Sequence, residues 1–233
     1  MDTFTSLLAG MRRDSGNGMR VSIDIDGTIA DVHAPMVAQF NGMKGTNFTV
    51  GDIKDWGFTS IGSSYEEMMP IYKNVWQQHT DEIRFLGNVA QLRELSTRYE
   101  VSFLTSRSND RRDVTGGTEH ALLRWLAKSG VSFVPLVICP LHMDKARDYG
   151  YNVYIDDSPS LARSIASIEE RGDVLMLLID KPYNRDVPKS ERILRVTDVR
   201  EAVDVLLNAA RSSDRAVVVY APSALRRART KSA

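Results

Sequence analysis

An apolar, β-branched run that ends in two carboxylates leaves a chain few ways to fold, and Val21-Ser22-Ile23-Asp24-Ile25-Asp26-Gly27-Thr28 is such a run. It reads as a buried strand that delivers its charge at its C-terminal end. Residues i and i+2 of an extended chain point to the same side, so Asp24 and Asp26 both face the space beyond the strand tip. Neighbouring carboxylates repel unless a cation or a shared proton sits with them. Gly27 permits the tight turn that leaves the strand, and Thr28 places a hydroxyl at its start. The set suits a hard, oxygen-liganded cation such as Mg²⁺ together with a phosphate. Asp-x-Asp-Gly also opens calcium loops, but those require further oxygen ligands and a closing Glu, which Ile29-Ala30-Asp31-Val32 does not supply.

From Phe85 onward, apolar helical spacing alternates with short strand-like runs. Leu86, Val89, Leu92 and Leu95 predict a helix, and Val101 to Thr105 a strand running into Ser106 and Arg107. Leu122, Trp125 and Leu126 mark a helix, and a strand falls within Val131 to Cys139. Asn152 to Ile155 is a strand that meets Asp156-Asp157-Ser158-Pro159; a helix over Leu161 to Ile168, a strand over Val174 to Ile179 and a helix over Val199 to Leu207 follow. This alternation predicts βαβ units, hence an α/β fold with a Rossmann-like, doubly wound parallel sheet over residues 19–31 and 83–210. Residues 32–82 differ: aromatic and Met residues cluster, with Met36, Val37 and Phe40, and then Met68, Met69, Tyr72 and Trp76, at helical spacing. They read as a small helical cap inserted after the first strand, above the strand ends where ligands bind in open sheets. Residues 1–18 read as a leader holding a short helix, and residues 211–233 as a basic C-terminal tail in which Ala216 to Tyr220 is an edge strand or a partner-binding segment.

Charge and composition narrow the partners. The chain of 233 residues carries 30 basic and 30 acidic side chains, so no whole-protein field draws it to a nucleic-acid polymer or a membrane. Cys139 is the single cysteine, which excludes an internal disulfide and fits a reducing compartment. No apolar run approaches the roughly 20 residues that span a bilayer, and the N-terminal segment lacks signal-peptide character. The expectation is a cytoplasmic protein acting on a small molecule. No sequence feature decides for or against a homodimer.

Each strand end then contributes chemistry. The hydroxyl of Thr105, with Ser106 and nearby backbone N–H groups, suits phosphate oxygens, and Arg107 adds a fork of donors for a phosphate or a distal part of the substrate. Read alone, Thr105 and Ser106 beginning a turn with Arg107 solvated is the better account. Asp156-Asp157 is a second buried strand ending in paired carboxylates, costly in an interior without a cation. His33, His79, His120 and His142 show no metal-ligand spacing.

Asp24-Ile25-Asp26-Gly27-Thr28, Thr105, Lys145 and Asp156-Asp157, in that order, resemble the four motifs of the haloacid dehalogenase superfamily of phosphatases. The resemblance implies Asp24 as nucleophile and Asp26 as general acid/base. It implies Lys145, in His142-Met143-Asp144-Lys145, as the cation that stabilises Asp24 and the phosphoryl charge. It implies a Mg²⁺ site from Asp24, the backbone carbonyl of Asp26 and one of Asp156 and Asp157, with Asp157 favoured as direct ligand and Asp156 as support. Ile83 to Gly87, Arg124-Trp125-Leu126, Tyr154 to Pro159 and Lys181-Pro182-Tyr183-Asn184-Arg185 look like the 5′(3′)-deoxyribonucleotidase family, over roughly Met19 to Leu207. That family implies Mg²⁺-dependent hydrolysis of nucleoside monophosphates through an aspartyl-phosphate. Trp56, Phe58, Tyr72 or Trp76 would then stack on a base or simply form the core of the cap. The competing readings are a phosphatase for a sugar phosphate or another small phosphomonoester, and a non-catalytic phosphate- or nucleotide-binding module. Both Asp24 and Asp26 are present, which speaks against the module.

Overall fold

In the computed structural model, residues 3–14, 18–107, 117–169 and 172–212 are described. The chain builds α1 (Thr3–Asp14), β1 (Arg20–Ile23), β2 (Ala30–Asp31), α2 (His33–Lys44), α3 (Tyr65–Gln78) and β3 (Arg84–Phe85). Then come α4 (Val89–Arg98), β4 (Glu100–Ser106), α5 (Glu119–Lys128), β5 (Leu136–Cys139), α6 (Lys145–Asp148) and β6 (Val153–Asp156). The series ends with α7 (Pro159–Ser167), β7 (Leu175–Ile179), β8 (Ile193–Val196) and α8 (199–212). Local chemistry sets several boundaries: Ser64, Asn88, Asp144 and Ser158 cap α3, α4, α6 and α7 by accepting from backbone N–H groups of the first turn. Asn88 accounts for α4 starting at Val89, whereas apolar spacing alone would begin the helix at Leu86.

Six strands form one sheet in the order β5-β4-β1-β6-β7-β8, every neighbouring pair parallel. The register is continuous across the centre: Ile23 of β1 sits between Phe103 of β4 and Ile155 of β6. Alternate residues enter opposite layers. Ile155 and Leu177 join a core with Leu92 and Leu95 of α4, Leu122 and Trp125 of α5 and Val203 and Leu206 of α8. Tyr154, Met176 and Leu178 join a second core with Leu161 and Ile165 of α7. Both faces are therefore covered, the doubly wound arrangement that the alternation predicts. Phe4 and Leu8 of α1 are buried in the first core, so the N-terminal helix packs on the domain.

The chain adds β4 and β5 on one side of β1, then crosses to β6 on the other. The switch of direction thus lies at β1, where open α/β sheets bind ligands beyond their C-terminal strand ends. Between β2 and β3, which pair antiparallel, lie α2, α3 and short 3-10 turns at Val50–Asp52, Thr59–Ile61 and Thr80–Glu82. Two pairings go beyond the sequence reading: β8, and the β2–β3 pair. The proposed strand at Ala216 to Tyr220 and the basic tail lie outside the described residues. Among the described residues, no helix is long and apolar enough to cross a membrane.

Candidate active site

The turn after β1 is tight because one carbonyl serves three donors: the N–H groups of Thr28, Ile29 and Ala30 all point to Ile25 O. Gly27 adopts φ +80, and a Cβ there would lie 1.9 Å from Asp157 Oδ2, so only glycine fits between the two acidic strand ends. Asp24 is buried just past β1, its N–H donating to Ile155 O at 2.9 Å. Asp156 ends β6 and Asp157 follows it, both buried. One carboxylate oxygen from each of Asp24, Asp156 and Asp157 lies within 4.8 Å of the others.

Lys145, the first residue of α6, donates from Nζ to Asp24 Oδ1 at 2.7 Å and to Asp156 Oδ2 at 2.9 Å. Its backbone carbonyl accepts from the Tyr154 hydroxyl at 2.7 Å, which fixes the lysine to the second core. Burial opposes the ammonium's charge, but Asp156 and Asp24 overcome it and hold the lysine protonated, above its ordinary value. Burial and the neighbouring Asp156 push Asp24 well above the usual carboxylate range, with Lys145 pulling against them. The same two causes bring Asp157 to about 7. Asp157 Oδ2 accepts from the Tyr183 hydroxyl, and its backbone carbonyl accepts from Asn184 Nδ2 at 2.9 Å. Its Oδ1 is buried with no hydrogen-bond partner among the described residues.

These residues fit a cation. Among the described residues, Lys145 pairs with Asp24 and Asp156 and Arg107 with Asp26, which leaves Asp157 with no cation in direct contact. An orphaned buried carboxylate oxygen beside an all-oxygen donor set is the environment a hard metal occupies. The Asp triad could hold such a metal. The Asp26 side chain lies outside this triad, accepting from Trp76 Nε1 at 2.9 Å, Arg107 at 2.9 Å and the Tyr72 hydroxyl at 3.1 Å.

The acidic cluster forms the floor of a cleft of about 500 Å³, to which Asp24, Asp26, Thr105, Ser106, Lys145, Asp156 and Asp157 all contribute. Trp56, Phe58 and Tyr72 line the same cleft and give it an aromatic surface. Trp56 is 45% exposed and stands edge-on to Tyr183, with ring centroids 5.1 Å apart. Phe58 adopts φ +63, a left-handed conformation rare for a bulky side chain, which is the kind of local strain that collects at binding sites. His33 also lines the cleft, and burial together with Lys181 pulls its imidazole down to about 4, so it is neutral near pH 7.

Three placements depart from the sequence reading. Arg107, read there as a substrate contact, is completely buried, does not line the cleft and is turned to Asp26 and Thr118. Tyr72 and Trp76, read as base-stacking or core aromatics, are indeed buried, but their polar atoms go to Asp26. Tyr183 and Asn184, which hold Asp157, carried only the general resemblance of their segment.

Comparison with known proteins gives a consistent answer. The family model described as 5′ nucleotidase, deoxy (pyrimidine), cytosolic type C protein matches residues 18–212. No curated protein matches the chain in sequence. Among solved structures, a haloacid dehalogenase-like hydrolase of Burkholderia xenovorans aligns with TM-score 0.52 at 14% identity, covering 80% of this chain and 98% of its own. The D,D-heptose 1,7-bisphosphate phosphatase of B. bronchiseptica aligns with TM-score 0.44 at 15% identity, covering 82% and 98%. The structural likeness at this identity concerns the fold; the family model spans the sheet, the segment between β2 and β3 and all four strand-end motifs. The chain therefore belongs to the type C 5′-nucleotidase family and is a phosphatase of the haloacid dehalogenase type.

Proposed function

We propose that the protein is a Mg²⁺-dependent nucleotidase that releases phosphate from deoxyribonucleoside monophosphates through an aspartyl-phosphate on Asp24. The observation that carries this reading is the Lys145 ammonium bridging Asp24 and Asp156 beside Asp157 Oδ1, which has no partner among the described residues, in a cleft that Trp56, Phe58 and Tyr72 also line. Mg²⁺ would be held by Asp24 and Asp157, and when bound it supplies positive charge to the phosphoryl oxygens. Asp156 supports rather than binds, since one of its oxygens accepts from Lys145 and the other from Ser158 N–H at 2.8 Å.

Asp24 attacks phosphorus while Lys145, the Thr105 hydroxyl and Ser106 receive the charge that builds on the phosphoryl oxygens. Asp26 protonates the departing ester oxygen, then takes a proton from the water that opens the aspartyl-phosphate. Residues 32–82 act as a cap over this floor, and Trp56 and Phe58 are its faces for a nucleobase, a contact worth about 1–3 kcal/mol where bases stack on aromatic rings. The family description supports a pyrimidine deoxynucleotide as the substrate.

The test is phosphate release from a panel of deoxyribonucleotides, ribonucleotides, sugar phosphates and an aryl phosphate, with Mg²⁺ and with chelator. Chelator-sensitive turnover that favours deoxynucleotides is expected, together with complete loss in Asp24→Asn. Turnover of sugar phosphates alone would overturn the substrate, and turnover in chelator or in Asp24→Asn would overturn the mechanism.

A further inference from the structure

The Asp26 carboxylate is held by three side chains. Trp76 Nε1 reaches Oδ1 at 2.9 Å; the Tyr72 hydroxyl, at 3.1 Å, and the Arg107 guanidinium, at 2.9 Å, both reach Oδ2. Each carboxylate oxygen has about two acceptor positions, so among the described residues Oδ2 is filled and Oδ1 keeps one. The side chain remains 22% exposed and lines the cleft, so the carboxylate is accessible to a ligand there.

Arg107 is built into the protein for this contact. It is completely buried, its other terminal nitrogen donates to Thr118 Oγ1 at 2.7 Å, and its guanidinium lies 4.6 Å from the Trp76 ring centroid and 5.7 Å from that of Tyr72. A guanidinium wholly out of water persists only when paired and hydrogen-bonded, and Asp26 is the carboxylate with which it pairs. The planar fork reaches Asp26 and Thr118 together, which an ammonium on a flexible stem does not reproduce.

We propose that Arg107 is a positioning residue that, with Tyr72 and Trp76, locks Asp26 so that the open acceptor position of Oδ1 carries the catalytic proton. The proposal rests on Asp26 being the acid/base of the reaction proposed above. In the first step an Asp24 oxygen forms its bond to phosphorus as the ester P–O bond breaks. The leaving oxygen keeps that electron pair and takes the proton from Asp26 Oδ1, departing as the alcohol. In the second step Oδ1 takes a proton from water as the water oxygen bonds to phosphorus and the Asp24–phosphorus bond breaks, returning both aspartates to their starting state with release of phosphate. No group beyond water and the ester is consumed.

The test separates proton delivery from substrate binding by changing the leaving group. For 4-nitrophenyl phosphate the phenolate leaves without a proton, whereas the alkoxide of a deoxyribonucleoside 5′-monophosphate needs one, and kcat/KM for either covers only the steps through the aspartyl-phosphate. Tyr72→Phe keeps the ring and removes the hydroxyl, Trp76→Phe removes the indole N–H and leaves a smaller aromatic ring, and Arg107→Gln removes the fork. Since a general acid contributes about 10²–10⁴-fold, loosening it should lower kcat/KM for the nucleotide about 10–100-fold and for the aryl ester less than about threefold. Equal losses on both esters, or no loss on the nucleotide in the two Phe variants, overturn the proposal. The Phe variants decide it if Arg107→Gln does not fold. A wild-type protein that cleaves neither ester refutes the phosphatase mechanism itself, while an active wild type with equal losses refutes only the positioning role.

Discussion

Replacing Lys145 by Met keeps most of the stem's volume and removes the ammonium that touches two buried carboxylates, at 2.7 Å from Asp24 and 2.9 Å from Asp156. Three carboxylate oxygens within 4.8 Å are then left without that cation. Removing one partner of a buried ion pair costs roughly 3–5 kcal/mol. For a chain of this size each kcal/mol moves the midpoint by about 2–4 °C, so the metal-free variant should melt about 6–20 °C below wild type. The sign with pH follows from Asp24, which burial and Asp156 already hold above its unfolded value. Without Lys145 its proton affinity rises further. A carboxyl raised in the folded state keeps its stability below its unfolded pKa and loses it as pH rises through the folded one. The variant's deficit should therefore be small near pH 4 and largest above neutrality. Denaturant unfolding of both proteins in chelator, from about pH 4 to 8 and then with Mg²⁺, measures this directly. Added Mg²⁺ should return part of the loss. A deficit under about 1 kcal/mol at pH 7, or one of constant size across pH, would refute the reasoning.

Gly27→Ala forces a side chain onto φ +80 and into Asp157, costing about 1–2 kcal/mol for the backbone alone; calorimetric titration should also show weaker Mg²⁺ or Mn²⁺ binding. Tyr183→Phe removes the donor to Asp157 Oδ2 and should weaken metal affinity about 10–100-fold while leaving the unfolding midpoint in chelator little changed. His33, lowered to about 4 by burial, contributes no penalty above its unfolded value, and its stability share is lost as pH falls from 6.5 through 4, roughly 3 kcal/mol in all. A His33→Gln variant should therefore unfold less steeply with acid than wild type over that window, and parallel acid profiles would contradict the assignment.

The acidic strand ends were readable because burying paired carboxylates is costly enough to demand an explanation wherever they follow an apolar run. Asp24 and Asp156-Asp157 lie where that cost argument puts them, at the tips of β1 and β6. β8 was not readable: Ile193-Leu194-Arg195-Val196 carries a charge mid-strand, and only the fold reveals that Arg195 reaches back to Asn184 O at 2.6 Å. The β2–β3 pair spans two residues a side, too short to leave a periodicity. Tyr72 and Trp76 showed helical spacing, which separates buried from exposed but carries no information about where a hydroxyl or an indole N–H points. Arg107 was misread for the same reason, since its partner Asp26 lies 81 residues away in the chain.

The pairing of Ala30 with Phe85 and Asp31 with Arg84 brings together the two ends of the segment that supplies Trp56, Phe58 and Tyr72 to the cleft. A segment that leaves and returns at one spot can change length at little cost, since doubling a loop adds only about 0.6 kcal/mol of closure entropy. That segment can thus be exchanged at the bench while Asp24, Lys145, Asp156 and Asp157, which lie outside it, stay in place. Tyr72 and Trp76 set a condition on such a graft: they belong to that segment yet hold Asp26, so a replacement must bring its own donors for that carboxylate.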